Sequence, residues 1–199
     1  MIIKSIALFC GSSDGFDSKY KTLAYNFGNY CAQKNITLYY GGAALGLMKA
    51  ASEGCRTHNG KVIGIAPNFF SDSTVLDTSL DELRLVNSMS ERKQMMEREA
   101  DAFVALPGSY GTMDEFFEVI TDAQLGLHHK PVAILNAFDY YTPLIQQLKI
   151  FKKEGFLRDF HFDLLIISTS LEELFMKLEN YENSNDRHWL DKIKNKKNC

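Results

Sequence analysis

Two adjacent cations and one carboxylate carry the strongest chemical signal in this chain. Arg92 and Lys93 follow Ser88-Met89-Ser90-Glu91, and Glu115 follows the loop Pro107-Gly108-Ser109-Tyr110-Gly111 and the triplet Thr112-Met113-Asp114. Ser88 with Glu91 has the form of a helix-opening capping box, so Arg92 and Lys93 fall in the first turn of a helix. A helix dipole disfavours cations there by about 0.3–1 kcal/mol each. Lys93 also shares a stripe with Met89, Met96 and Ala100, an apolar face where an ammonium belongs only opposite an anion. Two assignments stay open: the pair snorkels to solvent or meets Glu97 or Glu99, or it binds an anionic ligand. Glu115 is similarly divided. Thr112-Met113-Asp114-Glu115 reads as a second capping box, which would tie the carboxylate to its own helix end; otherwise it is available for proton chemistry.

The stretch that positions Glu115 is itself informative. Ala102–Leu106 is a short apolar run that predicts a buried strand, the Pro- and Gly-rich loop breaks it, and Phe116, Ile120, Ala123 and Leu127 then form a helical stripe. Strand, glycine loop and helix together aim free N–H groups and the positive end of a helix dipole at one point, which attracts an anion, most often phosphate. Other candidates are weaker. His128 and His129 fall at a helix end, where capping or solvent exposure is the expectation. Glu115, Glu118 and Asp122 read as a solvated acidic face, with Glu115 and Asp122 roughly 10 Å apart along the axis, too far for a tight carboxylate pair.

The elements around that stretch alternate. Strands are predicted at Ile3–Phe9, Thr37–Tyr40, Val62–Ala66, Leu83–Val86, Ala102–Leu106, Val132–Leu135 and Leu164–Ile167. Helical patterns fill Ser18–Lys34, Leu45–His58, Met89–Ala100, Thr112–Leu125, Tyr140–Glu154 and Ser170–Tyr181. Strands apolar throughout suit a parallel sheet covered on both faces, so the expected fold is α/β: a single-domain, Rossmann-like doubly wound parallel sheet with helices on both faces, over residues 1–182. Residues 183–199 form a polar, basic tail that is expected to fray, with Trp189, Leu190 and Ile193 able to dock as a short amphipathic turn. Three small-residue loops follow strands on one rim: Cys10–Ser13, Gly41–Gly46 and Pro107–Gly111. Together they predict a nucleotide-sized ligand. Gly41 and Gly46 have P-loop spacing, but Leu47-Met48 stands where Lys-Ser/Thr is required, and no loop spells G-x-G-x-x-G.

Bulk composition narrows the classes. The 199 residues are 45% hydrophobic and 24% charged, with a net charge of −3, which gives no basic surface for nucleic acid. No apolar run approaches the ~20 residues of a membrane span, and no charged leader precedes the first strand, so a cytoplasmic protein is expected. The 4 cysteines, Cys10, Cys31, Cys55 and Cys199, lie far apart and form no C-x-x-C, which fits reduced thiols better than zinc or disulfides.

The motif pair Ser88-Met89-Ser90-Glu91-Arg92-Lys93 and Pro107-Gly108-Ser109-Tyr110-Gly111-Thr112-Met113-Asp114-Glu115 resembles that of the LONELY GUY family, cytokinin riboside 5′-monophosphate phosphoribohydrolases often labelled lysine decarboxylases. The likeness extends through FCGSS, YYGGAALGLM, AQLGLHHKPVAILN and DYYTPL to KKEGFL, roughly residues 5 to 157. The resemblance implies hydrolysis of the N-glycosidic bond of a cytokinin riboside 5′-monophosphate, and of AMP, to free base and ribose 5-phosphate. It implies Arg92 and Glu115 as the catalytic pair, with Lys93, the segment Ser109, Tyr110, Gly111, Thr112, Met113, Asp114, Glu115 and Thr121 binding nucleotide. By the same likeness Gly11, Ser12, Gly41 and Gly42 line the site, with Pro107 and Gly108 in the phosphate loop. It implies a homodimer with sites near the subunit boundary, for which Met95 and Met96 are interface candidates. Neither metal nor organic cofactor is called for. Lys49 is the one lysine near a glycine loop, and its surroundings do not suggest a pyridoxal phosphate site. A general AMP nucleosidase and a non-catalytic nucleotide sensor on the same fold are the rival readings. The chain departs from the family pattern at Ser109 (glycine), Ser90 (histidine), Ala43 (glycine), Lys49 (glycine) and Asp122 (tryptophan), and the last three are expected to reshape the base pocket.

Overall fold

The computed structural model describes residues 2–71 and 74–182. The tail with Trp189, Leu190, Ile193 and Cys199 lies outside the described residues. Seven strands form one sheet: β1 (Ser5–Phe9), β2 (Thr37–Tyr40), β3 (Val62–Pro67), β4 (Glu82–Val86), β5 (Ala102–Ala105), β6 (Val132–Leu135) and β7 (Leu165–Ser168), in the order β4-β3-β2-β1-β5-β6-β7. Every pairing is parallel. The order reverses between β1 and β5, so the loops after those two strands diverge and leave a crevice at the carboxyl edge.

Both faces of the sheet are apolar because alternate residues of each strand serve different cores. Ile6 and Leu8 of β1, and Val104 of β5, pack with α1 (Ser18–Gln33), α2 (Gly46–Arg56) and α7 (Leu171–Glu179) through Phe27, Leu47 and Phe175. Ala7, Phe9 and Phe103 face the other way, toward α3 (Met89–Glu99), α4 (Tyr110–Leu125) and α5 (Thr142–Lys153), through Met96, Phe116 and Leu148. A four-residue helix, α6 (Asp159–Phe162), precedes β7 and lies outside the predicted elements. Among the described residues no helix is long and apolar enough to cross a membrane.

Helix ends differ from the sequence prediction for identifiable reasons. Strand β1 begins at Ser5 rather than Ile3, because the N–H groups of Lys4 and Ser5 donate to the Asp101 carboxylate at 2.8 and 3.0 Å. Helix α5 starts at Thr142 rather than Tyr140, since Phe138 and Asp139 sit at φ 57° and 58°, which no helix accepts. Helix α4 starts two residues earlier than expected, at Tyr110, with Ser109 as its N-cap residue. It ends at Gly126 in the left-handed region (φ 75°), where the N–H groups of Gly126 and Leu127 close onto Ala123 and Asp122.

Helices α1 and α2 approach unusually closely over two glycines. A Cβ on Gly28 would sit 1.9 Å from the Ala51 carbonyl oxygen, and one on Gly54 would sit 1.9 Å from that of Tyr25. Neither neighbour is a flexible side chain, so the helices must part to admit a methyl. Gly28→Ala is therefore expected to lower unfolding free energy by at least about 1–3 kcal/mol, the usual cost of overpacking. Urea denaturation followed by circular dichroism measures it; an unchanged midpoint would contradict the close approach.

Candidate active site

Three strands deliver the pieces of the site to one edge. Ser88 caps α3 by accepting from the Glu91 N–H at 3.1 Å, while the Glu91 carboxylate accepts from the Asn87 N–H at 2.7 Å. The first of the two capping boxes is therefore formed, with its return bond one residue upstream of the cap. This fixes the start of α3 and turns Arg92 inward. The second box does not form: with α4 beginning at Tyr110, Thr112 is already inside the helix and Glu115 is free of its end.

The Glu115 carboxylate instead meets Arg92. Nη1 of Arg92 donates to Oε1 of Glu115, and its Nε donates to the Ile65 carbonyl at 2.9 Å. Both residues are only 5% exposed. The guanidinium passes over the Gly41 turn with no room to spare, since a Cβ there would lie 2.3 Å from Nη2. Glycine at 41 is thus a requirement of Arg92. Burial holds the Glu115 carboxyl above the ordinary glutamate range, and the neighbouring guanidinium opposes without reversing this. The sequence reading had Arg92 alone setting the charge of Glu115; desolvation is the larger influence.

A cavity of about 370 Å³ opens above the pair. All three predicted loops contribute: Gly11 and Ser12 after β1, Gly41 and Ala43 after β2, and Ser109, Gly111 and Thr112 after β5. Loops β1 and β5 are stitched together by the Gly11 N–H on the Pro107 carbonyl at 3.0 Å. Gly108 must lack a side chain, because a Cβ would reach Thr112 Oγ1 at 2.0 Å. Ser109 adds no side-chain cap to α4, so the first N–H groups of that helix are left to an anion. Cys10 also lines the cavity, but burial first and Glu115 second push its thiol far up, which makes it a neutral wall rather than a nucleophile.

Other predicted residues lie elsewhere. Tyr110, Met113, Asp114, Thr121 and Asp122 line a separate shallow depression along the outside of α4, with Tyr110 94% exposed. Lys93 belongs to that side: it pairs with Asp114 at 3.0 Å and with Glu118, not with Glu97 or Glu99. Gly42, at φ 71°, turns toward Leu83 and Ala66 rather than into the cavity. Lys49 faces Glu53 at 3.7 Å on an exposed side of α2 and, like Asp122, does not touch the cavity; of the three residues expected to reshape a base pocket, only Ala43 does. His128 is neither a cap nor exposed. It is buried, its Nε2 lies 2.8 Å from the Val119 carbonyl, and burial pulls its pKa down. Met96 is fully buried in the core and cannot serve as an interface residue.

Sequence reasoning missed the two tyrosines that hold the β5 loop from behind. Tyr141 donates to the Leu106 carbonyl at 2.7 Å and Tyr140 to that of Gly108 at 2.6 Å. The Asn136 carboxamide secures them by accepting from the Tyr141 N–H at 2.7 Å. Also missed was the far wall of the cavity, formed by Phe70, Val75 and Leu76 in the connection between β3 and β4. No periodicity marks that connection.

Fold and site define a Rossmann-like protein with an acid and a guanidinium buried together at the switch point of its sheet. A family model described as a possible lysine decarboxylase matches residues 48–178. The cytokinin riboside 5′-monophosphate phosphoribohydrolase LOG4 of Arabidopsis thaliana is 41% identical over 176 residues, covering 88% of this chain and 82% of that protein. LOG3 of the same plant is 39% identical over 184 residues, covering 92% and 86%. The chain belongs to this enzyme family, the cytokinin riboside 5′-monophosphate phosphoribohydrolases. Among solved structures, the molybdenum cofactor binding protein of Rippkaea orientalis matches with a TM-score of 0.67 at 20% identity, over 90% of this chain and 97% of that one. The Moco carrier protein of Chlamydomonas reinhardtii matches with a TM-score of 0.66 at 18% identity, over 88% and 94%. At those identities the likeness is one of fold alone.

The buried pair gives a stability prediction with a sign. Arg92→Ala leaves an uncompensated carboxylate and is expected to cost about 3–5 kcal/mol, whereas Arg92→Met combined with Glu115→Leu is expected to fold as stably as the parent or better. Equilibrium urea unfolding of the two variants checks this. A double variant as unstable as Arg92→Ala would show that the pair is retained for stability.

Proposed function

We propose that the chain hydrolyses the N-glycosidic bond of nucleoside 5′-monophosphates of the adenine and cytokinin type, with Arg92 and Glu115 as its catalytic residues. The observation that carries this reading is the buried contact between those two side chains at the floor of a cavity rimmed by the Ser109–Thr112 helix start. The names of the relatives support the same chemistry.

In this reading the 5′-phosphate sits at the N-terminus of α4, on first-turn N–H groups and the hydroxyls of Ser109 and Thr112. That places the ribose over Glu115. As the bond between C1′ and the base nitrogen breaks, its electron pair leaves with the base and positive charge grows on the sugar ring. The Glu115 carboxylate stabilises that charge and takes a proton from the water whose oxygen bonds to C1′; the proton is passed on to the departing base. Arg92 orients the carboxylate and moderates the rise in its pKa. Binding energy at the phosphate, remote from the reacting carbon, is used for positioning. A homodimer belongs to the same proposal. Its support is the exposed apolar face between α4, α5 and α6, where Phe117, Phe151 and Phe156 line a groove of about 220 Å³.

Chromatography of reactions with AMP and with N6-isopentenyladenosine 5′-monophosphate tests the activity: free base and ribose 5-phosphate are expected from both. Tight binding with both nucleotides intact would instead make the chain a sensor. Glu115→Gln is expected to lower kcat by about 10²–10⁴-fold while sparing nucleotide binding. Because burial raises the Glu115 carboxyl above 4.5, the acid limb of the kcat/KM profile is expected above that pH, with activity falling as pH drops through it. A limb at or below 4.5 would contradict the role given to Glu115.

A further inference from the structure

The cavity has two chemically different ends. The end at β1 and β5 is built of backbone and hydroxyls: Gly11, Ser12, Ser109, Gly111 and Thr112. The end at β2, β3 and β4 is apolar: Leu45, Met48, Phe70, Val75, Leu76 and Met89. Arg92 and Glu115 lie between, because α3 follows β4 and α4 follows β5 in a sheet ordered β4-β3-β2-β1-β5. A nucleotide with its phosphate at the hydroxyl end and its sugar over Glu115 therefore has its base directed at the apolar end.

That apolar end is a connection, not a regular element, and something must hold it in place. Ala43 and Leu76 form an isolated antiparallel bridge, with the Ala44 N–H on the Val75 carbonyl at 2.7 Å and the Asp77 N–H on the Gly42 carbonyl at 2.8 Å. The side chain of Asp77 is buried in an interior polar cluster. It accepts from the Ser79 N–H at 3.1 Å, from the Ser79 hydroxyl and from the Tyr40 hydroxyl at 3.4 Å, and it faces Arg56 Nη1 at 3.6 Å. Arg56 in turn donates to the Ser79 carbonyl at 2.8 Å. Asp77 is thus the point at which α2, β2 and the β3–β4 connection are joined, one residue away from Leu76. Removing it would release the wall while touching neither the hydroxyl end nor the Arg92–Glu115 pair.

We infer that Phe70, Val75 and Leu76 form a subsite for an apolar substituent on the base, and that Asp77 is the positioning residue that sets its shape. This rests on the nucleotide reading above, and it assigns the base preference that the family likeness leaves open. An alkyl chain on the exocyclic nitrogen of adenine gains roughly fourfold in affinity for each methylene it buries, so a five-carbon chain buried in part is worth at least tenfold.

Isothermal titration calorimetry with AMP and N6-isopentenyladenosine 5′-monophosphate tests the subsite separately from turnover. The parent protein is expected to bind the prenylated nucleotide at least tenfold more tightly. Phe70→Ala, at a half-exposed position, and Leu76→Ala are each expected to weaken binding of the prenylated nucleotide at least fivefold more than binding of AMP. Asp77→Asn keeps an acceptor for Ser79 but loses the charge opposite Arg56, and it is expected to reduce the preference in the same direction without contacting ligand. A parent preference below threefold, or a preference unchanged in Phe70→Ala and Leu76→Ala, would overturn the inference. Absence of hydrolysis with the binding preference intact would instead remove the catalytic proposal and leave the subsite standing. A purely structural Asp77 would weaken both nucleotides equally.

Discussion

A guanidinium and a carboxylate held together out of water are the constraint on which the site depends. Burying such a pair is rarely the most stable use of core space: desolvation costs several kcal/mol per ion and the mutual attraction recovers it only with good geometry and further hydrogen bonds. Here the geometry is provided from three directions. Arg92 also bonds the Ile65 carbonyl at the end of β3, Gly41 clears its path, and the capped start of α3 fixes its backbone. Neither end of the pair belongs to the helix dipole that a first-turn cation would oppose, so the interaction is explained by what the two groups do together rather than by local helix energetics. The raised carboxyl of Glu115 is the signature of that arrangement, since burial works against the very charge that Arg92 supports.

The architecture follows from the same place. A doubly wound sheet has one point where neighbouring loops diverge, and β1 and β5 flank it. Small residues at Gly11 and Gly108 let those two loops approach within hydrogen-bond distance of one another, and Tyr140 and Tyr141 brace the second loop from behind. The site is therefore assembled on strand ends and helix starts, whose positions the two cores determine. The side chains that face the cavity are placed by backbone, not by flexible reach.

Much of this was readable in the chain. The seven strands and six longer helices follow from apolar runs and helical stripes, because a parallel sheet buried on both faces writes its strands as continuous hydrophobic segments. The three glycine-rich loops converge as their positions after strands required. What local pattern could not give was partnership. Thr112-Met113-Asp114-Glu115 spells a capping box, yet the helix begins two residues earlier and the carboxylate is committed to a residue 23 positions away. Lys93 was legible as a cation on an awkward face, but its partners Asp114 and Glu118 lie on another helix. His128 looked like a helix-end residue and proved to be a buried one, fastened to the Val119 carbonyl. The Phe70–Leu76 wall carried no signal at all, since an irregular connection has no period and its order comes from a single buried aspartate.

A crystal structure with AMP soaked into the site would test the central claim most directly. The account predicts the phosphate against the Ser109–Thr112 helix start, with the ribose C1′ beside the Glu115 carboxylate and Arg92 still in contact with it. A nucleotide seated instead in the outer depression beside Tyr110 and Asp114, with the buried pair untouched, would contradict it.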